Sequence, residues 1–181
     1  MVFNLIDNAV KYNVPDGKVD NDATRNLPEI EALVKRLYDI VVEDERKNPD
    51  KPVSIGVISP FRAQVEQLKV SVSKVLSDHM LRKHQIEIGT AHTFQGDERD
   101  IMLISWAFAP NSFPQSLTFL QKPNLFNVAI TRARYKMINF ISKDPRDDKL
   151  IQSTYEDKVF GNIPEDICLN LLTKYQQEKE Q

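Results

Sequence analysis

Three short stretches of this 181-residue chain carry polar side chains that a plain hydrophobic core does not need. One of them, residues 89–100, reads Gly-Thr-Ala-His-Thr-Phe-Gln-Gly-Asp-Glu-Arg-Asp between two apolar segments. Its hydroxyl, imidazole, amide and carboxylate groups could contact a phosphodiester backbone or a ribose. A well hydrogen-bonded surface turn explains the same composition. A metal site at Asp97, Glu98 and Asp100 is the weaker alternative, because no further ligands accompany them.

Residues 127–134 form a second stretch, Asn-Val-Ala-Ile-Thr-Arg-Ala-Arg, for which we predict a helix over about 124–134. On a helix, Arg132 would share an apolar stripe with Val128, and Arg134 would lie on nearly the opposite face. An arginine on an apolar stripe must reach an anion or extend to water. The residue types leave two interpretations open: an anion ligand, or a salt bridge to an internal carboxylate.

A third stretch, residues 59–64, reads Ser-Pro-Phe-Arg-Ala-Gln. The proline and the apolar stripe that follows it predict a helix that begins here, directly after a buried strand. Arg62 and Gln64 then fall at the helix start, where free backbone N–H groups favour anions. Taken alone, this stretch is better explained by an exposed helix turn with one solvated arginine.

The scaffold for these stretches is predicted from the hydrophobic pattern. Asn26 is expected to cap a helix that runs to about Lys47, with Glu29 as the reciprocal carboxylate. Strands are expected at residues 2–7, 53–58, 86–89, 101–106 and 136–141, and loops at 13–25 and 107–123. Strands alternating with helices predict an α/β fold with a mostly parallel sheet and helices on both faces. In such folds ligands bind at the carboxyl ends of strands, where residues 59 and 90 fall.

The bulk composition excludes several classes of protein. With 41% hydrophobic residues the chain can bury a core, and a net charge of −2 argues against a basic nucleic-acid coat. The five glycines form no phosphate-cradling pattern, and the histidines and the lone Cys168 are too scattered for a structural zinc site. There is no candidate membrane span or signal peptide. We expect an intracellular protein with a domain over residues 1–144 and a helical tail over 145–181.

Taken together, the stretches resemble motifs IV, V and VI of superfamily 1 helicases, in the branch of the nonsense-mediated-decay helicase, senataxin and Dna-two-like enzymes. The family patterns are T/S-P-Y-R-x-Q, G-T-V-x-x-F-Q-G-x-E-x-D and N-V-A-x-T-R-A-R, and their counterparts here, residues 59–64, 89–100 and 127–134, follow the family order. Asn26 and Glu29 resemble the N-x-x-E helix start that precedes motif IV. The resemblance implies a RecA-like domain, a P-loop NTPase fold without its own P-loop.

The resemblance also implies roles for individual residues. ATP would lie between two RecA-like domains, with Mg²⁺ and most of the ATP held by the Walker A-bearing domain of the same protein. Arg132 would be the arginine finger, and Glu98 would lie near the ribose of the nucleotide. Gln95 and Gly96 would couple nucleotide to nucleic acid, and Arg62 would lie near the cleft. Contacts to single-stranded DNA or RNA would come from four side chains: Thr90, His92, Gln64 and Thr131.

Some positions depart from the family pattern. Phe61 replaces the motif IV tyrosine, and His92 replaces a residue that is often aspartate. The sequence holds no Walker A or B segment, so we expect a fragment of a longer helicase that hydrolyses no ATP alone. The alternatives are a non-catalytic module that binds nucleic acid or a partner and, less supported, another class of nucleotide-binding domain. Three aromatic residues in the segment 107–123 could stack on bases or pack on the core: Phe108, Phe113 and Phe119.

Overall fold

Five parallel strands form a single sheet in the computed structural model, which describes residues 9–13, 18–19, 25–107, 109 and 132–142. The strands are β1 (Ala9–Asn13), β2 (Ile55–Ile58), β3 (Glu87–Gly89), β4 (Arg99–Ser105) and β5 (Ala133–Ile141). Their order across the sheet is β1-β5-β4-β2-β3, and every neighbouring pair is parallel. The predicted α/β architecture with a parallel sheet is therefore confirmed.

The longest helix of the described residues, α1 (Leu27–Lys47), begins where the sequence predicts. The Asn26 side chain accepts a hydrogen bond from the backbone N–H of Glu29 at 3.2 Å, which caps the helix. Pro28 lies in the first turn, where its missing N–H costs nothing. The apolar residues that recur at helical spacing on the inner face of α1 are buried: Ile30, Leu33, Val34, Leu37, Ile40 and Val41.

Two shorter α-helices, α2 (Arg62–Ser73) and α3 (Asp78–Lys83), follow β2. The predicted stripe of α2 is confirmed, since Val65, Leu68 and Val72 are buried. They pack with α1 against one face of the sheet, formed by alternate residues of the strands. The sheet residues on this face are Ile55, Val57, Leu103, Ile138 and Phe140.

The opposite face of the sheet has its own cluster of apolar side chains. It comprises Ile58, Phe94, Met102, Ile104, Ala133 and Met137. Gly56 lies beneath it, and a Cβ atom there would collide with the Met102 thioether and the Phe94 ring. Phe94 thus lies directly on the middle of the sheet, which only a residue without a side chain at position 56 permits.

Several predicted elements differ from the structure or lie outside the described residues. The helix predicted over 124–134 is wrong at its end, because Ala133 and Arg134 belong to β5; its residues 124–131 are not described. The strand predicted at 2–7 is not described either, whereas β1 occupies 9–13, a segment for which we predicted no strand. The helical tail after residue 144 and the aromatic residues of 107–123 also lie outside the described residues. No helix in the described part is long and apolar enough to cross a membrane.

Candidate functional site

The polar stretches do not share one edge of the sheet. Residues 59–64 and Thr90 follow the carboxyl ends of β2 and β3, as predicted. Glu98 and Arg132, however, directly precede β4 and β5. Because all five strands run in the same direction, these two residues lie at the opposite rim, which we call the amino rim. The expectation that ligand-binding segments gather at the carboxyl ends therefore applies to only part of the site.

Residues 90–98 connect the two rims. A 3-10 helix, Ala91–Phe94, begins the connection, and the buried Phe94 ring anchors it to the sheet. Gly96 then adopts a φ of +83°, a backbone conformation that is unfavourable for residues other than glycine. Gly89 is equally constrained, since a Cβ atom there would collide with the side chain of Thr93. Two glycines thus allow a short segment to reach the amino rim at Glu98, and the side chains of Gln95 and Glu98 are exposed.

The largely buried side chain of Arg99 stabilises the end of this connection. Its guanidinium pairs with Asp97 at 2.7 Å and donates to the carbonyl oxygens of Gln85 at 3.2 Å and Glu98 at 3.1 Å. It also lies 6.0 Å from the centroid of the Phe94 ring, at the outer limit for a cation–π contact. The hydrogen bond from Arg99 lowers the pKa of Asp97, so this carboxylate stays ionised.

Arg134 joins the first and second polar stretches, residues 89–100 and 127–134. Its guanidinium lies 3.5 Å from a carboxylate oxygen of Glu98 and 3.4 Å from one of Asp100. Asp100 also accepts hydrogen bonds from the backbone N–H and the hydroxyl of Ser54, each at 2.9 Å. Partial burial opposes ionisation of Asp100, but these bonds and Arg134 lower its pKa. The pairing of β4 with β5 is irregular between Arg99 and Ile101, opposite Arg134. Such irregularities often redirect side chains beside functional sites.

Arg132 lies immediately before β5 and is half-buried. Its carbonyl oxygen accepts a hydrogen bond from the backbone N–H of Arg99 at 3.0 Å. The comparison of Arg132 and Arg134 as opposite faces of a helix does not hold, because Arg134 belongs to a strand. Thr131, predicted to contact nucleic acid, lies outside the described residues.

Gln64 has a role that differs from the predicted one. Its side chain is fully buried, and its oxygen accepts from the backbone N–H of Asn26 at 2.8 Å. Its amide nitrogen donates to the Ser105 hydroxyl at 2.8 Å. Both ends of the side chain therefore make hydrogen bonds within the domain, and this position corrects the expectation that Gln64 faces a nucleic-acid strand. By contrast, Arg62 and His92 are exposed and Thr90 is half-buried.

Glu29 forms the centre of the same buried network, a role that the sequence did not indicate beyond its place in the N-x-x-E pattern. One carboxylate oxygen accepts from the Ser105 hydroxyl and the Ala107 N–H, each at 2.9 Å. The other accepts from the Asn26 side chain at 3.1 Å and the Ser142 hydroxyl at 3.5 Å. Burial raises the pKa of Glu29 to about 8, although these hydrogen bonds favour the ionised form. The expected reciprocal bond to the Asn26 backbone is absent, since Gln64 accepts that N–H.

No group of three or more metal-ligating side chains is present among the described residues. In particular, Asp97, Glu98 and Asp100 are not arranged as a metal site. Asp97 pairs with Arg99, and the other two pair with Arg134.

A family model described as AAA domain matches residues 5–144 of the chain. The chain belongs to this family, the C-terminal region of superfamily 1 helicases. The resemblance drawn from motifs IV, V and VI is thereby confirmed.

Individual relatives agree with this assignment. The chain is 30% identical to the putative helicase MOV-10 of Gallus gallus over 155 residues. It is 32% identical to the DNA replication ATP-dependent helicase/nuclease DNA2 of Gallus gallus over 170 residues. It is also 32% identical to the probable helicase senataxin of Homo sapiens over 128 residues. These matches cover 77%, 81% and 70% of this chain but only 16%, 16% and 4% of the relatives. The chain thus spans a small part of the length of these proteins.

Two solved structures are similar at low sequence identity. One is the C-terminal domain of a possible DNA helicase from Lactobacillus plantarum, with a TM-score of 0.42 and 11% identity over 78% of this chain and 83% of that chain. The other is the DUF1998 helicase MrfA bound to DNA, with a TM-score of 0.47 and 13% identity over 87% of this chain and 23% of that chain.

Proposed function

We propose that this chain is the second RecA-like motor domain of an ATP-dependent DNA or RNA helicase. One observation supports the proposal most strongly: Glu98 and Arg132, from separate polar stretches, lie at the same rim and are joined through Arg99. The resemblance to superfamily 1 helicases implies that both residues face the nucleotide. A shared rim is what a nucleotide bound between this domain and another would require, because one ligand can then contact both side chains.

The chemistry assigned to Arg132 is stabilisation of charge on the γ-phosphate during hydrolysis. A guanidinium suits this task because it is always charged and presents several donors to phosphate oxygens. Loss of an arginine finger typically reduces the rate by about 10³ to 10⁵, or roughly 4 to 7 kcal/mol of barrier. Glu98, exposed beside Arg134, would accept hydrogen bonds from ribose hydroxyls.

We assign Mg²⁺ and most of the ATP contacts to a Walker A-bearing domain of the same protein. The carboxylates of this turn do not fit a magnesium site, because each is already paired with an arginine. Mg²⁺ is usually held by one or two carboxylates together with waters and substrate phosphates. In the nucleotide site, this domain would therefore contribute the guanidinium of Arg132 and the carboxylate of Glu98.

Nucleic-acid contacts are proposed for the carboxyl ends of β2 and β3. His92 is exposed on the 3-10 helix, and Thr90 precedes it. Arg62, which the resemblance places near the nucleotide cleft, is exposed at the start of α2 at this same end, so we reassign it from the nucleotide to the nucleic acid. Hydroxyl, imidazole and guanidinium groups can donate to phosphate oxygens without reading sequence. Residues 90–98 run from this end to the amino rim. A nucleic-acid strand bound at one end and a nucleotide bound at the other would therefore both contact this segment. Gln95 and Gly96 lie within it.

The test is an ATPase assay of the full-length protein carrying Arg132→Ala, with and without single-stranded DNA and RNA. We expect hydrolysis to fall by at least about 10³, with folding retained. Arg82→Ala removes an exposed arginine elsewhere on the surface and serves as the matched control. A variant within a few-fold of wild type would remove the finger assignment. Strand binding without any hydrolysis by the wild-type protein would instead favour the non-catalytic binding module.

A further inference from the structure

The family pattern F-Q-G-x-E-x-D leaves two positions open, and in this chain they are occupied by Asp97 and Arg99. These two side chains pair with each other at 2.7 Å on either side of Glu98. The Arg99 side chain is 12% exposed, whereas Asp97 is 55% exposed. The pair thus has one end inside the protein, unlike a surface ion pair with both ends in solvent, which contributes little.

Arg99 contacts one carboxylate and two backbone carbonyl oxygens. Besides Asp97, it donates to the carbonyl oxygen of Glu98 and to that of Gln85 in the turn before β3. Gln85 has a φ of +46°, a conformation that is uncommon for residues other than glycine. A planar guanidinium can serve these directions at once because its N–H groups form a fixed fork, which the single ammonium of lysine cannot reproduce.

The contacts of Arg99 flank Glu98 on both sides. The carboxylate before it and its own carbonyl oxygen are both held by the same guanidinium. In the part of the chain that the structure describes, the Glu98 side chain pairs with Arg134 at 3.5 Å, and it is 53% exposed. The orientation of Glu98 therefore depends on how its backbone is held.

We propose that Arg99 is a positioning residue that holds Glu98 toward the nucleotide. This inference rests on the proposed function, in which Glu98 contacts the ribose. Arg99 itself does not touch the nucleotide; it reduces the conformational freedom that Glu98 would lose on binding. Its loss should weaken nucleotide binding and leave the chemical step largely intact.

A purely structural role for Arg99 makes a different prediction. If the side chain only stabilises the fold, then its removal lowers the melting temperature and alters the activity regardless of Glu98. If it acts through Glu98, its removal has no further effect once Glu98 is gone, because residues that act as a unit are not additive.

The experiment compares full-length Arg99→Ala, Arg99→Lys, Glu98→Ala and the double variant Glu98→Ala/Arg99→Ala. We expect Arg99→Ala to raise the KM for ATP about tenfold with kcat within about threefold, and Arg99→Lys to fall between it and wild type. In the Glu98→Ala background, Arg99→Ala should change KM less than about twofold. The preference for ATP over dATP should decrease in Arg99→Ala, since the discriminating hydroxyl belongs to the ribose.

Arg82→Ala is the matched control, because it removes an exposed arginine three residues before Gln85. Thermal melting of each variant shows that it is folded, and Arg99→Lys provides the test if Arg99→Ala is not. An unchanged KM, or an equal KM increase with and without Glu98, would overturn the positioning role. A wild-type protein without ATP hydrolysis would overturn the proposed function itself, which is a separate result.

Discussion

The hydroxyl of Ser105 donates a 2.9 Å hydrogen bond to the carboxylate of Glu29, 76 residues earlier in the chain. Ser105 ends β4, and Glu29 lies in the first turn of α1. The same carboxylate oxygen accepts the N–H of Ala107, whose φ of +50° marks a sharp turn after β4. A fully buried acid therefore fixes the start of α1 to the end of a central strand.

Glu29 should make the stability of this domain depend on pH. Burial raises its pKa from 4.5 to about 8, so the folded protein holds the proton more strongly than the unfolded chain. The contribution is fully present below pH 4.5 and is lost as the pH rises through 8. It is worth at most about 4 to 5 kcal/mol, at 1.36 kcal/mol per pKa unit. Denaturant unfolding of the 181-residue chain between pH 5.5 and 8.5 should show a falling free energy of unfolding.

Glu29→Gln is the control for this pH dependence. Glutamine cannot titrate, so the decrease between pH 5.5 and 8.5 should disappear. The variant should also lose about 1 to 3 kcal/mol at low pH, because an amide N–H would face other donors. The lowered pKa values of Asp97 and Asp100 affect stability only at more acidic pH. A Glu29→Gln protein with the wild-type slope would assign the effect to another group.

Substituting alanine for Gly89 or Gly96 should destabilise the domain, for a different physical reason at each position. In Gly89→Ala the new Cβ meets the Thr93 side chain, so we expect a loss of about 1 to 3 kcal/mol from steric conflict. Removing that side chain, in Gly89→Ala/Thr93→Gly, should recover part of the loss. Gly96→Ala meets nothing within 4 Å but is strained by its φ of +83°, at a cost of about 1 to 2 kcal/mol.

The matched comparison is Gly96→Ala/Thr93→Gly, in which no recovery is expected because the strain lies in the backbone. Urea titrations give the free energy of unfolding of all four variants. Equal rescue of both alanine variants by Thr93→Gly would contradict the assigned causes.

The sequence predicts much of this fold because its apolar residues repeat clearly. The stripe of α1 and the β-branched run of β2 place the core on both sides of a parallel sheet. The same signals are weak at Ala133 and Arg134, where a helical pattern and a strand pattern overlap. Which of these two structures forms there is decided by pairing with β4, a contact between distant parts of the chain.

The sequence singles out candidate site residues but does not predict how they are arranged. The motif patterns single out Glu98 and Arg132, yet only strand direction shows that both lie at the amino rim. Gln64 was expected to contact nucleic acid because of its place in the motif IV pattern. It is buried instead, since Asn26 and Ser105 satisfy its amide, and side-chain networks of this kind leave no periodic signal.

His92 and Gln64 should respond in opposite ways to substitution. His92→Ala in the full-length protein should weaken single-stranded nucleic-acid binding a few-fold at all sequences, because it removes a backbone contact. Gln64→Ala should leave affinity nearly unchanged but destabilise the domain by about 1 to 3 kcal/mol, since it leaves buried groups unpaired. Fluorescence anisotropy at several salt concentrations and thermal melting separate the two effects. A larger affinity loss in folded Gln64→Ala than in His92→Ala would restore the original interpretation of Gln64.

The 181-residue chain by itself should not hydrolyse ATP. Its sequence contains no G-x-x-x-x-G-K-[ST] segment, so it lacks the backbone N–H groups and the lysine that hold the β- and γ-phosphates. Arg132 and Glu98 would then contact only the far side of a nucleotide that this chain cannot orient for attack. We expect ATP binding weaker than about 1 mM by calorimetry and no phosphate release above background. Turnover that purifies with the chain and disappears in Arg132→Ala would show that the isolated domain holds a complete site.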